Sequence, residues 1–253
     1  MSSTTVAVGS PLRALTRTET RLMLRERAGL IWGVGFPPVL LIILGALGGK
    51  KPDKDLDGLS LAATYVPIVI AFSLAMLALN VMPVLLATYR ERGVLRRMST
   101  TPVPPSRLLA AQLLINLAIA VITTVIVLII ARAAFDVGLP RQVGGFLLAF
   151  VLGAAGLFSI GLTIASLAPS GKVANAAGAL TFFPMMFFAG LWVPRAVMPD
   201  ALRHVSDYTP MGAAVQALQD SARDQFPGAL HLAVLAVYAV GFAIAAIRLF
   251  RWE

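Results

Sequence analysis

Leu108–Arg132, LLAAQLLINLAIAVITTVIVLIIAR, decides the fold. Its only charge is the arginine that ends it. Apolar residues occupy every helical and strand phase, so no face is left for water. A helix needs about 20 such residues to cross the hydrocarbon layer of a bilayer. The block therefore predicts a membrane-spanning helix. Blocks of similar length stand on either side: Leu30–Gly48, Leu61–Thr88, Val143–Ala168, Val173–Val193 and Leu230–Arg248. The 253-residue chain is 58% hydrophobic and 13% charged, with a mean hydropathy of +0.84. A soluble domain of this size needs more polar surface. The expected fold class is an all-α membrane protein with six transmembrane helices. There are no cysteines, so disulfide and thiolate chemistry are excluded.

The segment before this block, Tyr89–Arg107, reads YRERGVLRRMSTTPVPPSR. It holds Arg90, Arg92, Arg96, Arg97 and Arg107 against one acid, Glu91. Arg90 to Met98 reads as a short helix. Pro102, Pro104 and Pro105 then stop it and leave an extended connector. Charges this dense between apolar spans sit in water or against a partner. We read the loop as a handle by which a second protein moves the membrane part, or else as a site for lipid headgroups and topology.

Residues 1–29 form a polar, arginine-bearing lead, and residues 30–253 form one membrane domain. Arginines at 13, 17, 21, 25 and 27 put most of the positive charge on one helical face. Ser10-Pro11 suits a cap and first turn. The lead is expected to be an amphipathic helix in the membrane interface, and the first apolar block after it, long enough to cross a bilayer, a retained anchor and not a cleaved signal. With the N-terminus inside, the cytoplasmic pieces carry the whole formal charge of +9, and the outer pieces balance eight bases with eight aspartates. This positive-inside pattern places both termini in the cytoplasm and makes nucleic acid unnecessary as a partner. The outer segment 194–228 is long and half apolar. Two short helices folded back on the outer leaflet, as a re-entrant hairpin split near Thr209-Pro210, are expected there.

No GxxxxGK[ST] motif occurs, so ATP is not expected to be held by a phosphate loop on this chain. His204 and His231 lack a second-ligand pattern, and no metal site is predicted. Ser159 and His231 raise an intramembrane serine protease, but Leu157-Phe158-Ser159-Ile160 lacks the glycines such a serine needs and the two residues lie at different depths. No catalytic residue is assigned.

The polar groups within the blocks are neutral: Asn80, Gln112, Asn116, Thr123, Thr124 and Asn175. That weighs against an ion-coupled carrier. Gly145, Ala149, Gly153 and Gly161 recur at four-residue multiples, and Ala174, Ala176, Ala177, Gly178 and Ala179 cluster in the fifth block. Both read as close helix packing. Phe183, Met186 and Phe187, with Tyr65, Phe72, Met76 and Asn80 on the second block, make large soft faces. These faces are either the wall of a path for an apolar or amphipathic substrate, or lipid contact and core packing.

Over its whole length the chain resembles the ABC-2 type membrane subunits of ABC exporters. The most specific part is Phe183-Pro184, Phe188-Ala189-Gly190, Pro194, Met198-Pro199 and Pro210. The second is Glu91-Arg92-Gly93 with Leu95-Arg96 and Thr101-Pro102. The resemblance implies that 89–107 is the coupling helix that docks on a separate ABC ATPase. Arg90, Glu91, Arg92, Arg96 and Arg97 would pair charges there, around Gly93, while Leu95 and Met98 fill an apolar notch. It implies a dimer of this chain with two ATPase copies in the bacterial plasma membrane. ATP and magnesium would be held by the partner and no cofactor by this chain. Multidrug or antibiotic efflux is the expected cargo class. Glycolipid or polysaccharide export, and a non-transport scaffold, are the alternatives. Trp32, Trp192 and Trp252 read as interface anchors.

Overall fold

The computed structural model describes Thr20 and residues 31–48, 51–56, 58–94, 97 and 106–249. The amphipathic helix expected over Pro11–Arg27, apart from Thr20, and Trp252 lie outside the described residues. All regular structure among the described residues is helical. A π turn, Ile31–Gly35, leads into α1 (Phe36–Gly48). Next come α2 (Leu61–Ala75), a π stretch (Met76–Val81) and α3 (Met82–Glu91), which run on without a break. Then follow α4 (Ser106–Phe135), α5 (Val143–Leu167) and α6 (Gly171–Phe188). Two shorter helices, α7 (Asp200–Asp207) and α8 (Pro210–Ala222), precede α9 (Ala229–Leu249).

Five helical stretches among the described residues are long and apolar enough to span a membrane: Ile31–Gly48, Lys54–Glu91, Arg107–Phe135, Val143–Leu167 and Ala229–Leu249. They coincide with five of the six blocks. The block expected over Val173–Val193 differs. Its helix, α6, has 18 residues and carries Lys172, Asn175 and Pro184, which lower its hydropathy. It ends at Phe188, short of Val193, because the chain turns at Gly190, whose φ of 89° lies in the left-handed region that glycine tolerates.

The second rod is the hub. Ile68, Val69, Ile70, Leu74, Leu77 and Leu79 are buried on all its sides, as a helix apolar all round must be. α1 and α4 pack on it from one part of the fold, and α5, α6 and α8 from the rest. α9 lies most extensively on α5 and leaves Val237, Val240 and Ile247 exposed for lipid.

The π stretch has a local cause. Met82 N–H bonds Leu77 O, five residues back, and Pro83, lacking an N–H, cannot restore the regular ladder. Its carbonyls are where two other helices close in. A Cβ on Gly161 of α5 would lie 1.9 Å from Ala78 O, and one on Gly178 of α6 would lie 2.1 Å from Leu79 O. The small-residue stripes are thus packing sites. Gly145 faces Pro227 and Gly153 faces Ala214. In α6 the buried members are Ala174 and Gly178, while Ala176 and Asn175 are exposed.

The segment 194–228 holds two helices, as expected, and they meet at Tyr208-Thr209. Thr209 Oγ1 caps α8 by accepting from Gly212 N at 3.1 Å, with Pro210 in the first helical position. α8 is mostly buried, with Met211, Ala213, Ala214, Ala217 and Leu218 inside.

Candidate functional site: an aromatic cleft and a basic loop at opposite ends of one helix

Two features on opposite ends of α6 form the candidate site. The first is a cleft of about 580 Å³ between α1, α2 and α6, lined almost wholly by apolar side chains. Six rings run along it in succession. Centroids lie 5.1 Å apart for Trp32–Phe36, 5.5 Å for Phe36–Phe72 and 5.4 Å for Phe72–Phe182. The file continues at 5.7 Å for Phe182–Phe183 and 6.4 Å for Phe183–Trp192, the last pair stacked. These spacings are those of favourable ring pairs. Phe183 and Trp192 remain 58% and 53% exposed, so the outer part of the file is free to meet an apolar or ring-bearing ligand.

Of the predicted path residues, Phe72, Met76 and Phe183 line this cleft. Tyr65 does not. It is buried, and its hydroxyl donates to Leu191 O at 3.1 Å, which ties the turn after α6 to α2. Met186 is buried in the core, and Phe187 pairs edge-on with Phe188. Asn80 sits in the π stretch with Nδ2 buried and no acceptor among the described residues.

Trp32, Phe36, Leu40, Leu44, Phe182, Leu191 and Trp192 complete the lining. The reading of Trp32 and Trp192 as interface anchors missed that role. A signal was present: Trp32, Phe36, Leu40 and Leu44 recur every four residues, one stripe of a helix. Thr123, one of the polar groups expected within the spans, and Ser73 hold this region together. Thr123 Oγ1 and Ser73 Oγ both donate to Gly33 O, at 3.3 and 3.5 Å, the carbonyl of the π turn that carries Trp32.

The second feature is the basic loop. α3 continues through Glu91, so the helix expected to start at Arg90 is a continuation of the second span up to that point. The break falls at Arg92-Gly93, where Gly93 has a φ of 66°. Arg97 N then bonds Gly93 O at 3.1 Å, one helical turn. Leu95, Arg96 and Met98 lie outside the described residues. Arg97 Nη2 donates to Arg92 O at 3.2 Å.

Arg90 and Glu91 grip the α5–α6 turn. Arg90 Nη1 donates to Ser166 O at 3.0 Å and Ala168 O at 3.2 Å, the carbonyls at the end of α5. Glu91 Oε2 accepts from Gly171 N at 3.1 Å, at the start of α6. A cation at a helix C-terminus and an anion at an N-terminus are the pairings that helix dipoles favour. Ser170 adds the side-chain cap, its Oγ accepting from Val173 N. α6 is therefore attached to the loop at one end and lines the cleft at the other.

A family model described as ABC-2 type transporter matches residues 11–222. The chain belongs to the ABC-2 type transporter family. Members are membrane transport components that normally work with an ABC ATPase, and this ABC-2 chain is a multi-pass membrane protein. It is also 33% identical over 95 residues to Nodulation protein J of Bradyrhizobium diazoefficiens. That match covers 37% of this chain and 36% of the relative.

The residues that carried the resemblance have local reasons in the fold. Pro184 lies within α6, and Gly190 makes the left-handed turn after it. Pro194 precedes the short 3₁₀ turn Arg195–Val197. Met198 is buried, Pro199 starts α7 and Pro210 starts α8. Together they set the path from α6 to α8.

Proposed function

We propose that this chain is the permease subunit of an ATP-driven ABC exporter. It moves an apolar or amphipathic substrate, of the drug or antibiotic kind, out of the cytoplasm or inner leaflet. In this reading it crosses the bacterial plasma membrane six times, α6 being the fifth crossing, with both termini in the cytoplasm and 194–228 outside, α7 and α8 re-entering the outer leaflet. Two copies pair and two ATPase copies dock on their 89–107 loops. The positive-inside distribution of Lys and Arg supports the orientation. Exposed Leu47 on α1 and Leu180 on α6, two of the helices that form the cleft, suit a second copy.

The observation that carries the reading is the double attachment of α6. A push on the loop reaches its start through Glu91 and the end of α5 just before it through Arg90, and its far part bears Phe182 and Phe183 of the cleft. Closure of the ATPases would tilt α6 against the π stretch and open the cleft to the other side, a rigid-body switch between two packings.

The file of six rings also favours a second reading, export of a glycolipid or polysaccharide, since ring faces suit sugars as well as drugs. The test is ATP hydrolysis in membranes holding this chain and its candidate ATPase. A hydrophobic dye and a lipid-linked saccharide are compared as stimulants. Glu91→Ala is expected to remove stimulation while the chain still inserts, and Trp192→Ala to raise the half-stimulating concentration several-fold. Stimulation by the saccharide alone selects the second reading. If the two chains neither copurify nor respond to Glu91→Ala, the exporter reading fails and a scaffold role replaces it.

A further inference from the structure

A second cavity, of about 340 Å³, lies under α7 and α8 and is polar. Arg195, Arg203 and Arg223 line it against one carboxylate, Asp207. That carboxylate is already taken. Its Oδ1 accepts from Arg195 Nη2 and faces His231 Nε2 at 3.0 Å. Asp220, behind His231, accepts from Gln216 Nε2 at 3.0 Å and Gly228 N at 3.2 Å.

Arg203 is less fully engaged. Its Nη2 donates to Met198 O at 3.1 Å and pairs with Asp200 at 3.2 Å, but Asp200 is 88% exposed and that pair is screened by solvent. Its Nε is buried and has no acceptor among the described residues. A buried donor left open is costly, and a guanidinium edge fits the oxygens of a phosphate. Leu56 and Leu230 give the same cavity an apolar rim, beside the start of the lipid-facing α9.

We infer that this cavity binds the phosphate group of an anionic ligand, with Arg203 as the main contact and Arg223 as the second. Two sources share that chemistry, the headgroup of an anionic phospholipid in the adjacent leaflet and free phosphate. Binding requires neither transport nor an ATPase, so its test stands apart from the exporter reading.

The full chain is purified in detergent and delipidated. Retention of labelled inorganic phosphate and of labelled phosphatidylglycerol is then measured, with phosphatidylcholine as the zwitterionic control. Arg203→Gln is compared with wild type and with Arg248→Gln, which lies outside the cavity. The expected result is binding weakened at least tenfold by Arg203→Gln and unchanged by Arg248→Gln. Loss for phosphatidylglycerol alone assigns the lipid, and loss for phosphate as well assigns the free anion too. Should Arg203→Gln elute as aggregate, Arg223→Gln carries the same comparison. Retention no greater than for phosphatidylcholine, or retention untouched by both arginine substitutions, overturns the inference.

Discussion

Gly161→Ala tests how the fold is assembled around the π stretch. The added Cβ would stand 1.9 Å from Ala78 O and 3.3 Å from Met82 Cε. The methionine end can swing away, but the carbonyl is backbone and cannot. Ordinary carbon–oxygen contact begins near 3.3 Å, so α5 and the π stretch must separate by more than about 1 Å. Overpacking of this kind costs roughly 1–3 kcal/mol, against about 0.5–1 kcal/mol gained by replacing a helical glycine with alanine. Backbone contact puts the cost at the upper end, so a net loss of about 1–2 kcal/mol is expected. Gly178→Ala meets Leu79 O at 2.1 Å and is expected to behave alike. The two contacts fall on consecutive carbonyls, so the double variant should depart from additivity. The assay is thermal unfolding of the purified chain in detergent. Gly144→Ala and Gly241→Ala are the controls, since a Cβ at either meets nothing within 4 Å, and both should be neutral or slightly stabilising. If Gly161→Ala unfolds with these controls, the close approach of α5 to the hub does not exist and the packing argument fails.

Two other expectations concern charged groups. Arg90→Ala removes the donor to Ser166 O and Ala168 O and should cost about 2 kcal/mol, charge-assisted bonds being discounted for partial exposure; the exposed Arg92→Ala should stay within about 0.5 kcal/mol in the same melting assay. Asp207→Asn leaves Arg195 and His231 without their shared carboxylate, which should cost about 2–3 kcal/mol. It should also speed limited proteolysis within 194–228, and an unchanged cleavage rate would mean that this ion cluster does not hold the α7–α8 segment in place.

The membrane class was legible because it depends on local composition alone. Block length and the absence of charge report a helix in lipid without reference to any contact, and five of the six blocks reappear as spans. The break at Thr209-Pro210 was legible for the same reason, since a cap and a proline act within one turn. The small-residue stripe on α5 announced close packing but not its partners. Gly145, Gly153 and Gly161 meet three different segments, around Pro227, Ala214 and Ala78.

Placement of the site was not legible in this way. Arg90 and Glu91 read as docking charges in a basic loop, and nothing in their spacing announces the bonds they make to residues some 80 positions away. Tyr65 had the spacing of a path residue, but its hydroxyl is spent on Leu191 O, 126 residues along. The cleft needs Trp32 from the π turn, Phe72 from α2, Phe182 from α6 and Trp192 from the turn after it, each of which reads alone as an anchor or a core residue. By itself the sequence determined that the chain enters a membrane, where five of its spans lie, and which family it joins, because these follow from short-range hydrophobicity, turn chemistry and motif. Only the tertiary structure decided which faces meet, since that depends on contacts between residues distant in the chain, where the shape of one helix is fitted to another.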